Sequence, residues 1–220
     1  MKDTHELVKE YYSSVSTEND GQLATSVCCC SSHGMSQQIK EISSQLPDEI
    51  ITKYYGSGSP LPDALEGCTV LDLGCGTGRD CYVAAKLVGP SGRVIGVDMN
   101  DDQLGIAEKY HQEMAARWGF DNVEFRKGYI EDLKSAGIQD GSVDVVISNC
   151  VINLADEKQK IFSEIWRVLK NGGELYFSDI FADRRVPDEI NHDPVLLGEC
   201  LGGSMYVEDF RRMLYRAGWN

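Results

Sequence analysis

No apolar run in this chain approaches the roughly 20 residues that a membrane-spanning helix needs. The N-terminus, "MKDTHELVKEYYSSV", carries acids and lacks the apolar core of a secretory signal. Basic residues are outnumbered: 21 Lys+Arg face 35 Asp+Glu, for a formal net charge of -14. A surface of that sign repels phosphate backbones and anionic bilayers, so neither nucleic acid nor membrane is an expected partner. Histidine is rare, and none falls in the stretches read below as the fourth and fifth strands, so no histidine base is expected there. The dinucleotide fingerprint G-x-G-x-x-G is missing too, because Arg79 fills its last position and is too large for close helix–strand packing.

What remains is a chain of 220 residues, 42% hydrophobic and 25% charged, which suits one sizeable globular domain. It carries eight cysteines. With no export signal the expected compartment is the cytoplasm, where thiols stay reduced, so thiol chemistry or soft-ion binding is favoured over a disulfide framework.

Residues 1–62 read as a thiol-bearing lid segment, Ser/Thr/Asn-rich, with short helices on either side of "VCCC" and a Gly/Ser/Pro loop at 56–62. Beyond it the pattern is regular. "CTVLDLG" (68–74), "RVIGVDM" (93–99), "NVEFRKG" (122–128), "SVDVVISNC" (142–150) and "GGELYFSDI" (172–180) read as strands. Helical spacing occupies 79–89, 100–119, 156–170 and 207–218, and Leu104, Ala107, Tyr110, Met114 and Trp118 share one face of the second of these. Alternation of this kind predicts an α/β fold with a mostly parallel, doubly wound sheet. Residues 63–180 form the expected ligand-binding core and 181–220 a substrate-cleft segment with a final helix. The chain stops at Asn220 where another strand is expected, so the sheet reads as truncated.

Gly74, Gly76 and Gly78 follow the first strand, where a parallel sheet binds ligands. Asp72 stands just before them; a carboxylate there would repel a pyrophosphate and suits a cation. Asp98, ending strand two, is placed to accept both ribose hydroxyls. An adenosine ligand with a positive end is S-adenosylmethionine. "LDLGCGTG" followed by "GVDM" resembles the Rossmann-like core of the class I methyltransferases. That resemblance implies that Gly74, Cys75 and Gly76 line the methionine part. It also implies that Asp98 and Met99 hold ribose and adenine, that Ile130 and Glu131 of "GYIEDL" border the adenine, and that Asn149 faces the methionine end.

Two further cysteines fall at cleft positions: Cys150 ends strand four and Cys200 lies in "LLGECLGG". Thiolates select soft acceptors, so the pair reads as a soft-ion clamp. "KYYGSGSPLP", "SNCVINL", "GGELYFSDI" and "GECLGG" together resemble the arsenite S-adenosylmethionine methyltransferases. The resemblance implies that Cys150 and Cys200 ligate trivalent arsenic as thiolates and that Tyr55 reaches the methionine end. A third thiol would come from Cys28, Cys29 or Cys30, with Cys29 the first choice, or from a small thiol. The expected partners are a trivalent arsenical and a small-thiol or thioredoxin-type reductant. The family also carries a cysteine in a "YYGCG" motif, which here reads "YYGSG", so Ser57 replaces it. Two other readings keep the same core: a methyltransferase for another small molecule, such as a quinone precursor, or a non-catalytic arsenic binder. Cys68 and Cys81 read as small core residues, and His33 and His192 as solvated.

Overall fold

Short runs rich in apolar residues become parallel strands because a helix carries the chain back across the sheet after most of them. The computed structural model describes residues 4–18, 35–191 and 193–219. Cys28, Cys29, Cys30, His33 and His192 lie outside the described residues. Helices α1 (Thr4–Glu18), α2 (Gln37–Ser43) and α3 (Asp48–Thr52) precede β1 (Thr69–Leu73), α4 (Arg79–Val88), β2 (Arg93–Asp98), α5 (Asp101–Lys109), α6 (His111–Trp118) and β3 (Val123–Lys127). Then follow β4 (Val143–Asn149), a short 3-10 turn (Ile152–Leu154), α7 (Lys158–Val168) and β5 (Leu169–Ser178). The last part holds β6 (Phe181–Ala182), α8 (Asp188–Asn191), α9 (Pro194–Gly198), β7 (Met205–Tyr206) and α10 (Val207–Arg216). No helix of the described residues is long and apolar enough to cross a membrane.

The main sheet runs β3-β2-β1-β4-β5, all parallel, and β6 pairs with β7 as a separate ribbon. In a strand, alternate side chains leave on opposite faces. Val70, Val94, Val145 and Ile147 pack with Tyr82, Ala85 and Val88 of α4 and with Ile39 and Ile42 of α2. Leu71, Leu73, Ile95, Val97 and Val146 pack against Ile161, Phe162, Ile165 and Val168 of α7 and, beyond them, Phe210 and Leu214 of α10. Each large apolar side chain buried this way contributes about 1.5–3 kcal/mol, and this is what makes β1 a run buried on both faces.

Two element boundaries differ from expectation. The helix expected over 100–119 is two helices that meet at Tyr110 (φ -97°, ψ 1°). There the Tyr110 hydroxyl donates to Glu49 Oε2 at 2.8 Å, tying the junction to α3. The helix expected to reach residue 170 stops at Val168, because Leu169 already pairs with Val143 of β4. The register then shifts, so that Val145 faces Glu174 and β5 ends at Ser178 rather than 180.

Glu49 ties α3 to the junction of α5 and α6 by charge. Lys109 Nζ donates to it at 2.5 Å and Lys53 at 3.4 Å. The Lys109 hydrogen bond, followed by that of Tyr110, holds its carboxyl down at about 2. Because the folded value lies below the ordinary one, the stabilisation is present above about 4.5 and lost as pH falls towards 2. Solvent screening limits such a part-exposed pair to ~0.5 kcal/mol. The Glu49→Gln variant is therefore expected to speed amide exchange across Asp48–Thr52 at pH 7. The gap from the parent should narrow at pH 4, and a gap that widens there would contradict the assignment.

Candidate active site

Helices leave the C-terminal ends of β1 and β4 towards opposite faces of the sheet, and this opens a crevice between them. The open cleft there has a volume of about 960 Å³. Tyr55, Asp72, Gly74, Cys75 and Gly76 line it, as do Asp98, Met99, Ile130, Glu131 and Asn149. Every residue that the sequence pointed to for the cofactor thus faces one cavity.

The glycine loop forms the floor. At Gly74 φ is +70°, and a Cβ there would stand 2.4 Å from Val151 Cγ2, so only glycine fits both the backbone and the space. Gly74 N and Cys75 N both donate to Val97 O, at 2.8 and 3.1 Å. Gly76 N donates to Asp98 Oδ2 at 2.8 Å, and Asn100 N donates to Asp98 Oδ1 at 2.8 Å. Backbone amides thus aim both carboxylate oxygens at the cleft end of β2. Burial pushes the Asp98 carboxyl up, and the Asn100 and Gly76 amides pull against it. Burial also raises the Cys75 thiol, to about 11, so it stays protonated and acts through its size.

Carboxylates crowd the next part of the cleft. Asp72 is buried, receives a hydrogen bond from Cys81 Sγ at 3.2 Å, and has its carboxyl pushed well up by burial and then by Asp80. Asp80 Oδ2 accepts from Tyr54 at 3.0 Å and from Asn149 Nδ2 at 3.0 Å, while Asp80 Oδ1 accepts from Arg79 at 2.5 Å. Asn149 Nδ2 also donates to the Tyr54 hydroxyl, and Asn149 Oδ1 accepts from Ser57 N at 3.0 Å. Arg79 offsets Asp80, and a cation placed beside Asp72 would favour the ionised form that burial opposes. An ammonium or a sulfonium is such a cation and a pyrophosphate is not.

Helix α1 borders the side of the cleft formed by Tyr129, Ile130 and Glu131. His5, Val8, Lys9 and Tyr12 line the cleft. His5 Nε2 lies 3.1 Å from Glu131 Oε1, Lys9 Nζ donates to the Tyr129 hydroxyl at 3.2 Å, and the Tyr12 and Tyr55 rings stand 5.3 Å apart.

At the other end stand the two cysteines. Cys150 Sγ, Cys200 Sγ and a carboxylate oxygen of Asp179 all lie within 4.8 Å of one another. Cys200 Sγ donates to Cys150 O at 2.8 Å, and Ser57 Oγ and Cys150 Sγ share a hydrogen bond of 2.7 Å. Among the described residues, Cys150 (φ 55°) and Cys200 (φ 63°) are the non-glycine residues with positive φ. Left-handed backbone costs a side-chain-bearing residue about 1–2 kcal/mol, and such strain collects at functional sites. Cys150 N donates to Ser178 O at 2.8 Å, and Asn153 Nδ2 donates to Ile180 O at 2.6 Å and to Cys200 O at 3.4 Å. The roof is pinned to α1 as well, since Tyr11 donates to the buried Glu199 at 2.6 Å.

Sequence reading had not singled out Asp80, Tyr54, His5 or Asp179 for the site. Asp179 Oδ2 accepts from Asn153 N at 3.1 Å and Oδ1 from Ile180 N at 2.9 Å. Burial and then Cys150 push its carboxyl up to about 7. Its signal was its place at the C-terminal end of a strand, where ligands gather. Cys68 is half-buried and Cys81 fully buried, as core residues are.

Residues 64–218 match the model of a family described as a methyltransferase domain. The chain belongs to that methyltransferase family. It is 52% identical over 215 residues to the arsenite methyltransferase of Aquipseudomonas alcaligenes, an alignment covering 98% of this chain and 62% of that protein. The human arsenite methyltransferase is 44% identical over 214 residues, covering 96% of this chain and 57% of the relative. The crystal structure of an arsenic(III) S-adenosylmethionine methyltransferase from Chlamydomonas reinhardtii superposes with a TM-score of 0.79 at 46% identity, over 84% of this chain and 62% of that one. The chain spans about three-fifths of the length of the curated relatives it matches.

Proposed function

We propose that this methyltransferase moves a methyl group from S-adenosylmethionine to trivalent arsenic gripped by Cys150 and Cys200. One observation carries the reading: two strained, buried cysteines bring their sulfurs within 4.8 Å of each other beside the cleft that fits the cofactor. The names of the relatives support it.

S-adenosylmethionine supplies an electrophilic methyl on a positive sulfur. Asp98 and the glycine loop hold its ribose, Met99 and Ile130 flank its base, and Asp72 with Asp80 faces its ammonium. Cys150 and Cys200 exchange their protons for bonds to arsenic and aim its lone pair. That lone pair bears no proton, so the site needs no general base. Alignment and a field matched to charge passing from sulfur to arsenic are what the protein contributes. As the S–CH3 bond breaks and the As–CH3 bond forms, arsenic gives up two electrons, and a small-thiol or thioredoxin-type reductant returns it to the trivalent state. Such a cycle suits the reducing cytoplasm.

The hydroxyl of Ser57 stands beside Cys150 where the resemblance puts a further family cysteine. Arsenite offers three bonds for thiols and methylarsenite two, so the site favours methylarsenite. Incubation with S-adenosylmethionine, reductant and either arsenical, followed by arsenic speciation, tests both statements. Methylarsenite is expected to become dimethylated, with arsenite at least ~10-fold slower, a difference of ~1.4 kcal/mol in barrier. The Ser57→Cys variant should raise arsenite turnover. Cofactor binding with neither arsenical converted would overturn the proposal.

A further inference from the structure

Asp179 makes the cysteine pair a cage of mixed donors. A carboxylate oxygen is a poor partner for trivalent arsenic, but it completes a set that borderline and soft divalent cations accept readily. From this juxtaposition we infer that Cys150, Cys200 and Asp179 form a binding site for a thiophilic divalent cation of the zinc and cadmium class, which shuts the arsenical out. The inference does not rest on the methyl-transfer reading.

The donors come from separate segments: the end of β4, the turn after β5 and the loop after α9. None hangs on a mobile side chain alone. Both cysteines are held in left-handed backbone, and each Asp179 oxygen is aimed by one amide N–H and keeps a lone pair. Their atoms lie within 4.8 Å of one another. Metal–sulfur bonds of ~2.3 Å in a tetrahedron set sulfur atoms ~3.8 Å apart, so small side-chain rotations close the cage. The Ser57 hydroxyl, 2.7 Å from Cys150 Sγ, or a water takes the fourth position.

Charge is partly compensated. Cation binding releases the two thiol protons to solvent, leaving two thiolates and one carboxylate around a divalent ion. The half-buried Lys158 side chain lies within electrostatic reach of Asp156, Asp179 and Cys200, and its ammonium offsets part of the remaining negative charge. A buried charged group is tolerated only when so compensated. Because the ion takes up the same thiols, it acts as a dead-end competitor of any arsenical and leaves the adenosine half of the cleft untouched.

The test is a cadmium titration of the reduced 220-residue chain carrying Cys28→Ser, Cys29→Ser and Cys30→Ser, followed through ultraviolet thiolate-to-metal absorption. One cadmium per chain with the absorbance of two thiolates is expected. Adding Cys150→Ser or Cys200→Ser should weaken binding at least ~100-fold and halve the absorbance at saturation, and Asp179→Asn should weaken it at least ~10-fold, changes of ~2.7 and ~1.4 kcal/mol. S-adenosylmethionine affinity reports folding in each variant. X-ray absorption at the cadmium edge of the parent supplies a readout that needs no variant at position 179: two sulfurs plus oxygen neighbours support the cage. A shell of sulfur alone, or an Asp179→Asn protein that keeps its cofactor affinity and binds cadmium as tightly as its parent, overturns it.

Discussion

Replacing Cys200 with serine is expected to abolish methyl transfer while leaving S-adenosylmethionine affinity within about twofold, a difference of ~0.4 kcal/mol. The side chain is fully buried, and its Sγ donates to Cys150 O at 2.8 Å. A serine hydroxyl is smaller and can make the same bond, so the left-handed turn and the roof around it survive. The soft donor does not survive. With one thiol left, the arsenical pivots about a single bond and its lone pair no longer points at the methyl. Loss of alignment on this scale is worth ~10³-fold or more in rate, ~4 kcal/mol in barrier. The same argument holds for Cys150→Ser, whose neighbour Ser57 already offers a hydroxyl and would gain a second beside it. Single-turnover rates with methylarsenite, measured beside calorimetric titration of the cofactor, check the split. Turnover that survives both replacements would remove arsenic from the account and leave a methyltransferase for some other acceptor.

Strand-helix alternation carried most of the fold, because β1, β2 and β4 are short apolar runs whose neighbours along the chain are polar turns. That Gly74–Gly76 and Asp98 share one cleft was equally legible, since a contiguous loop and a strand end make it and their spacing is local. Features made by distant partners were not. Tyr110 divides a continuous helical pattern because of Glu49, some 61 positions upstream. Asp179 continued the alternation of "GGELYFSDI", and only the pairing that ends at Asn149↔Ser178 turns it out of the sheet and towards the sulfurs. Glu199 is an acid in an apolar roof that local sequence cannot justify; its partner, Tyr11, sits 188 positions away. The left-handed backbone of Cys150 and Cys200 left no local trace either, because glycine and asparagine, not cysteine, are the residues that announce it.

At the opposite end of the cleft, Asp98→Ala is expected to weaken S-adenosylmethionine binding at least ~100-fold, ~2.7 kcal/mol. The substitution removes the acceptor for the ribose hydroxyls, and it also strands the amides of Gly76 and Asn100, each now bonded to a different oxygen of this carboxylate at 2.8 Å. A buried donor left without its acceptor costs about 1–3 kcal/mol, and the glycine loop and the start of α5 relax to find water. Asparagine is no remedy. Either orientation of its amide sets an NH2 against a backbone N–H, so Asp98→Asn should bind almost as poorly as alanine. Arsenical binding at Cys150 and Cys200 should persist in both, since neither thiol touches this loop. The two halves of the cleft then fail independently, one through loss of the thiol and the other through loss of the carboxylate. Calorimetry with the cofactor and thiol-protection assays with a trivalent arsenical read the two out separately. Cofactor affinity within threefold of the parent in Asp98→Ala would mean that the ribose is held elsewhere, and the placement of the adenosine beside the ends of β1 and β2 would fall with it.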